Sequence, residues 1–196
     1  MCPDGLKKAL KWIIPPAFWL GVWQLAAMAV GRELLLPSPA AVGRTLARLA
    51  RTGEFWLAAL ASLGRIFGGL ALGCVLGGAL AWLTYRFAAA RLLLAPAIRV
   101  VRATPVVCFI LLVYLWVSRE RIPGAISAMM VLPVMWGNLD AGLASTDAQL
   151  LELARAYRFP PFKTVRLIYL PSLRPHFASG LLTCMGLAWK SGVAAE

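Results

Sequence analysis

Between Trp12 and Val30 the chain reads WIIPPAFWLGVWQLAAMAV, without one charged side chain. A helix needs about 20 mostly apolar residues to cross the hydrocarbon core of a bilayer, so this stretch reads as a membrane span. It carries Trp12, Trp19 and Trp23, two of them near its ends, where an indole suits the interface. The preceding MCPDGLKKALK has the cations of a signal peptide but no convincing small-residue cleavage site, which points to a retained anchor. Cys2 follows no lipobox, so lipidation receives no support.

Further segments extend the pattern. Leu57 to Tyr85 holds only Arg65 as a charged member, near its first end, where the side chain can snorkel. Leu92 to Val117 is interrupted by Arg99, Arg102 and the RATP of Arg102 to Pro105, leaving Val106 to Val117 as its unbroken part. That is too short to span alone, so a broken span or a short helix in a protein-lined region is expected. Ile122 to Gly142 contains Pro133, with Asn138 and Asp140 at its far end, and His176 to Glu196 contains Lys190. The expected fold class is all-α: a polytopic membrane helical bundle with five spans present of an expected six, because the last apolar segment ends at Glu196 without a polar tail. Residues 1–196 read as one membrane domain.

Composition agrees, with 61% hydrophobic and 14% charged residues. The net charge of +12 could indicate nucleic acid in a soluble chain, but the cations lie at the ends of apolar segments, which excludes nucleic acid as a partner and favours the bilayer surface. With the N-terminus inside, twelve Lys and Arg fall in cytoplasmic regions and six outside, leaving Arg65 and Lys190 within spans. The outside segment LLLPSPAAVGRTLARLA reads as an amphipathic helix entered through Pro-Ser-Pro. Cys2, Cys74, Cys108 and Cys184 have no metal-ligand spacing and read as small packing residues.

Within the spans, Gly69, Gly73 and Gly77 repeat every fourth residue, and Gly64 with Gly68 adds a second pair, so one face allows close backbone approach. Lys190 is either one half of an ion pair, with Glu196 or Asp140, or a cation facing a substrate path. Arg102, Thr104, Asn138 and Lys190 are the candidate path residues, suited to a small oxyanion. For Arg102 an interfacial position, and for Thr104 a cap on the following helix, are the alternatives. One histidine, no HExxH, no GxSxG and no GxxxxGK[ST] leave catalysis and metal binding without candidates, and His176 reads as an interface marker.

The polar insert ELARAYRFPPFKTVRLIYLP, residues 152–171, lies between two apolar segments and holds Arg155, Arg158, Lys163 and Arg166. It reads as two short helices broken at Phe159-Pro160-Pro161, with Leu153, Tyr157 and Phe162 exposed and in need of a protein cover. It resembles the cytoplasmic EAA loop of the transmembrane subunits of ATP-binding cassette importers. That consensus is Glu-Ala-Ala, three residues, Gly, nine residues, Ile, one residue and Leu-Pro. Glu152, Ala154, Ile168 and Leu170-Pro171 match it; Leu153 replaces the first alanine and Arg158 the glycine, which bears on the tight turn. LLPSP at 35–39, SLGRIFGGLALG at 62–73, RATP at 102–105 and GLAWKSGVAAE at 186–196 are similar to the nitrate, sulfonate and taurine branch, in which a further helix usually follows.

The resemblance implies a bacterial inner-membrane subunit with a coupling loop at 145–174. Two permease subunits, expected as a homodimer, would form the path. Separate ATPase subunits would dock at Glu152, Leu153, Ala154, Tyr157, Arg158 and Phe162, with Ile168, Leu170 and Pro171 fixing the loop to the last span. An extracytoplasmic solute-binding protein would deliver the ligand. ATP would be bound by the partner, and no cofactor by this chain. A secondary transporter without an ATPase is the rival reading, although no pair of matching halves supports it.

Overall fold

The computed structural model describes residues 4–196, with side chains from Lys11 onward, so Cys2 and the side chains of Lys7 and Lys8 lie outside the described residues. The chain forms two compact units, residues 1–59 and 60–196, each described by itself.

The first unit holds helix α1 (Asp4–Val30) and helix α2 (Pro39–Leu49). Gly31 ends α1 at φ 63, a left-handed conformation that glycine adopts without a Cβ penalty. The Pro-Ser-Pro entry works as expected: Ser38 Oγ accepts from the Ala41 amide at 3.2 Å and Pro39 occupies the first turn. Trp23 Nε1 donates to the Pro37 carbonyl at 3.1 Å, which ties the connection back to α1.

Helix α3 (Gly53–Arg86) leads into the second unit, which continues with α4 (Ala88–Ala103), α5 (Val106–Tyr114) and α6 (Ile122–Ala144). Short helices α7 (Ala148–Ala156) and α8 (Pro161–Thr164) follow, then a π segment (Val165–Tyr169) and α9 (Leu170–Ala194). By length and apolarity α1, α3 and α6 can each cross a membrane, and α4 with α5 form a pair bent by 101° that can count as a fourth span. The break expected at RATP is there, and α5, with 9 residues, reaches only about 14 Å. The fifth expected span differs. Helix α9 has 25 residues, roughly 37 Å, but its polar side chains keep it out of the set that qualifies by composition. It packs along α6, so part of its surface never meets lipid.

Helix α6 is the axis of this unit. Ile122, Ile126, Val131 and Met135 are fully buried, Val131 and Met135 between α3 and α9, and Ile122 and Ile126 with Val113 of α5 and the end of α9. The glycine face of α3 is real for one set only. A Cβ on Gly73 would stand 2.7 Å from Val131 Cβ, and one on Gly77 2.7 Å from the Leu132 carbonyl oxygen, while Gly69 lies against Gly124. Gly64 and Gly68 face open space, so the second glycine pair makes no close helix contact within the chain. Gly180 and Gly192 on α9 admit Asn138 and Ser127 of α6 in the same way. Without a hydrophobic force to separate lipid from helix, this close approach and its dispersion contacts hold the bundle.

Several buried polar groups are satisfied within and across the helices, while Asp140 Oδ1 is buried without a hydrogen-bond partner among the described residues. Trp136 Nε1 donates to Thr84 Oγ1 at 3.1 Å, Thr84 donates to the Leu80 carbonyl at 2.9 Å, and Ser127 Oγ donates to the Ala188 carbonyl at 3.1 Å. Cys184 is buried against α6 and Cys74 half-buried, as packing residues should be, whereas Cys108 is exposed.

Candidate functional site: the polar loop and the intramembrane polar residues

Ser145 and Thr146 leave α6, and Asp147 starts α7 by accepting from the Gln149 amide at 2.8 Å. The helix ends in a Schellman motif: Phe159 N–H donates to the Ala154 carbonyl at 2.8 Å and Arg158 N–H to the Arg155 carbonyl at 3.0 Å. This geometry requires a left-handed residue at the position after the cap, and Arg158 takes it at φ 52. The tight turn therefore forms without the glycine of the EAA consensus. An L-residue held there costs about 1–2 kcal/mol, partly offset by the greater flexibility glycine would bring to the unfolded chain. Arg158→Gly is accordingly expected to stabilise the loop by about 0.5–1 kcal/mol. Slower proteolysis at 157–160 in the purified protein would register it; faster cleavage would contradict it.

Past the turn the structure corrects the expected layout. Pro160 and Pro161 restart the chain, but α8 does not stop before α9: Thr164 and Leu170 both have helical angles, and the π segment joins them into one run. Pro171 explains the π geometry. Its missing N–H and its ring would collide with the Leu167 carbonyl in a regular α-helix, and one extra residue in the preceding turn relieves this. The Leu170 amide accordingly donates five residues back, to the Val165 carbonyl. Leu170-Pro171 is thus an internal feature of a continuous helix, not a joint between loop and span.

The residues expected to couple to an ATPase separate by exposure. Leu153, Tyr157 and Phe162 are exposed at 50%, 72% and 76%, and Leu150 joins them one turn earlier on α7. Glu152, Arg158, Leu170 and Pro171 are also exposed. Ala154 and Ile168 are buried at 4% and 7%, so they hold the loop together and offer nothing to a partner. The expectation that Ala154 is a contact residue is corrected accordingly. Lys163 Nζ sits 4.2 Å from the Phe159 ring centre, a cation–π contact that stiffens the corner.

An aromatic cluster not anticipated from the sequence sits where the loop enters α9. Tyr169 packs edge-on against Trp82 at 5.3 Å and Tyr85 at 5.8 Å, and the two tyrosine hydroxyls are 3.3 Å apart. Burial, then the hydrogen bond to Tyr85, pushes the Tyr169 phenol up to about 12, so it keeps its proton at any physiological pH. The signal was available: three aromatic residues at the ends of two apolar runs.

The path candidates are not brought to one place. Arg102 is exposed, and its Nη1 lies 3.6 Å from where a Cβ on Gly137 would stand, so the guanidinium rests over α6. Asn138 Nδ2 donates to the Val134 carbonyl at 2.9 Å, and its Cβ packs against Gly180. Thr104 Oγ1 donates back to the Val100 carbonyl at 2.8 Å, closing α4 instead of capping α5. Lys190 is exposed, near the level at which Ser127 meets Ala188, eleven residues of α6 from Asn138 or roughly 16 Å. Neither expected partner of Lys190 pairs with it: Asp140 binds Arg91 at 2.8 Å, and Glu196 lies 3.5 Å from Arg65. His176 packs its ring against Gly142, with Nε2 3.3 Å from Ser145 Oγ, at the start of α9. No cluster with metal-binding composition occurs among the described residues.

Comparison with known proteins is consistent along the chain. Over 192 residues it is 27% identical to the "Putative aliphatic sulfonates transport permease protein SsuC" of Bacillus subtilis, covering 95% of this chain and 68% of that protein. With the Escherichia coli protein of the same description the identity is 29% over 195 residues, 95% of this chain and 74% of the other. A "Probable ABC transporter permease protein" of Haemophilus influenzae is 27% identical over 192 residues, 96% of this chain and 77% of its own length. Residues 69–196, which contain the glycine face, the broken pair, α6, the loop and α9, match the binding-protein-dependent transport system inner membrane component family. The chain belongs to that family, as a multi-pass inner-membrane transport subunit and not an enzyme.

Proposed function

We propose that this chain is the membrane-spanning subunit of an ATP-driven importer for organic sulfonates or similar small anions. The carrying observation is the loop at 145–174, which a Schellman turn holds in shape while Leu150, Leu153, Tyr157 and Phe162 stand exposed among cations. Such a surface is incomplete without a protein, and membership of this family supplies the kind: an ATPase on one side of the membrane and a solute-binding protein on the other. The ATPase carries the ATP; this chain carries no cofactor. A second copy of the chain completes the path, and residues 1–196 act as one permease domain. The excess of Lys and Arg supports a cytoplasmic N-terminus and loop. The relatives named for aliphatic sulfonates support the substrate class.

Alternating access follows from the continuity of α8, the π segment and α9. When the ATPases close, the loop moves as a rigid body, α9 moves with it, and the aromatic contact of Tyr169 with Trp82 and Tyr85 passes part of the motion to α3. Arg102, Thr104 and Asn138 would meet the anion at one level and Lys190 at another, two stations on one route instead of a single site.

The test is uptake of a labelled alkanesulfonate by vesicles holding this chain, its ATPase and its binding protein. Uptake should require ATP and survive collapse of the proton gradient. Uptake that needs no ATPase and stops with an uncoupler would establish the secondary transporter instead.

A further inference from the structure

We propose that α4 carries a binding site for the headgroup of an anionic phospholipid, with the phosphate held between Arg91 and Arg99. The inference takes its leaflet, the cytoplasmic one, from the orientation proposed above. Helix α4 is bent by 101° from α5, and α5 packs against the first half of α6. From Arg91 to Arg102 the contacts of α4 on the spanning helix α6 pass only from Asp140 to Gly137, so α4 crosses α6 steeply and lies close to the membrane plane. Its inner side is fixed by Ala95 and Ile98, both buried in the core with Trp136 and Leu139.

The outer side is built for an amphiphile. Leu92, exposed at 77%, lines a groove of about 440 Å³ together with Ala88, Arg91, Ala95, Pro96 and Arg99, and Leu93, exposed at 76%, stands on the next face of the helix. The two arginines are eight residues apart, roughly 12 Å along the axis, within reach of one headgroup from either side. From Arg86 to Arg119 the sequence holds five arginines, Arg86, Arg91, Arg99, Arg102 and Arg119, and no acidic residue. Asp140 of α6 is the carboxylate that reaches α4, and it engages Arg91 Nη2 at 2.8 Å. Arg91 keeps its other donors and is half exposed, and Arg99 has no carboxylate partner among the described residues.

A soluble oxyanion would use the guanidinium groups alone and leave Leu92 and Leu93 uncovered. A phospholipid uses both, its phosphate on the arginines and its acyl chains over the leucines, as an interfacial helix with basic and apolar edges requires.

The experiment measures, in phosphatidylcholine membranes holding the full chain, the relative association of spin-labelled phosphatidylglycerol and spin-labelled phosphatidylcholine. The native chain should prefer phosphatidylglycerol. Arg99→Gln, which breaks no side-chain hydrogen bond or ion pair among the described residues, should reduce that preference about five-fold. The paired variant Arg91→Gln with Asp140→Asn, which removes the ion pair without leaving a lone buried acid, should do the same. Addition of millimolar inorganic phosphate or octanesulfonate should not displace the lipid. Unchanged selectivity in Arg99→Gln, or displacement by either soluble anion, would overturn the lipid assignment. Orientation is read separately: labelling of Gln149→Cys by an impermeant maleimide in intact cells would reject the cytoplasmic placement and leave the lipid preference to stand on its own result.

Discussion

Gly73→Val should lower the stability of the bundle by about 3 kcal/mol or more, a loss of roughly a hundredfold in the folded fraction relative to the unfolded. The reason is local. A Cβ at Gly73 would meet Val131 Cβ at 2.7 Å and the Ala128 carbonyl oxygen at 2.8 Å, one of them backbone, so α3 must back away from α6 along its whole contact. Membrane helices cannot recover that loss through the hydrophobic effect, because lipid solvates the separated faces as well as protein does. Gly64→Ala and Gly68→Ala are the internal controls. Both positions face open space within the chain, and alanine removes the helix penalty of glycine, so each should be neutral or stabilising by up to about 1 kcal/mol. Thermal inactivation of the detergent-solubilised variants separates the two groups, and equal behaviour of Gly73→Val and Gly68→Ala would refute the account of α3 packing.

That contrast also marks how far the sequence could be read. The spacing of Gly69, Gly73 and Gly77 announced a close contact, but the equally regular Gly64 and Gly68 announced one that does not form within the chain. In a soluble helix polar residues would label the outward face. Here Leu72, Val75 and Leu76 on the outward side are as apolar as the buried residues, so periodicity carries little information about which face is inside. The break at RATP was legible because charge and proline stand together. The partners of Asp140 and Glu196 were not, since each ion pair joins residues far apart in the chain. The same limit applies to the path residues: Lys190 and Asn138 look alike as polar groups in apolar runs, and only the register of α6 against α9 sets them roughly 16 Å apart.

The loop was legible as a motif and less so as a shape. Its consensus positions identify where the chain turns, yet they do not distinguish a residue that holds the turn from one that meets a partner. Ala154 and Ile168 are buried and belong to the first kind, Tyr157 and Phe162 stand exposed as the proposed docking surface requires, and burial alone separates the two pairs. Arg158 shows the complementary case. A glycine consensus encodes a left-handed backbone, and the hydrogen bonds of the Schellman motif impose that backbone on arginine at modest cost.

The double variant Tyr157→Ala with Phe162→Ala should weaken binding of the ATPase subunit about a hundredfold, as expected when two exposed aromatic anchors are removed from the centre of an interface. Both side chains are more than 70% exposed, so the permease itself should keep its thermal midpoint, and the loss should fall on association alone. Ala154→Leu should behave in the opposite way. Its side chain has no room inside the loop, so the protein's own stability should fall first and ATPase binding only as a consequence. Titrating the purified ATPase onto each variant in nanodiscs, with unfolding followed in parallel, distinguishes the two. An affinity for Tyr157→Ala with Phe162→Ala within twofold of the native value would remove α7 and α8 from the docking surface. Weak binding with an unchanged midpoint would instead place the energy of the contact on the residues the Schellman turn leaves standing outward, and make the geometry at Arg158 the feature that aims them.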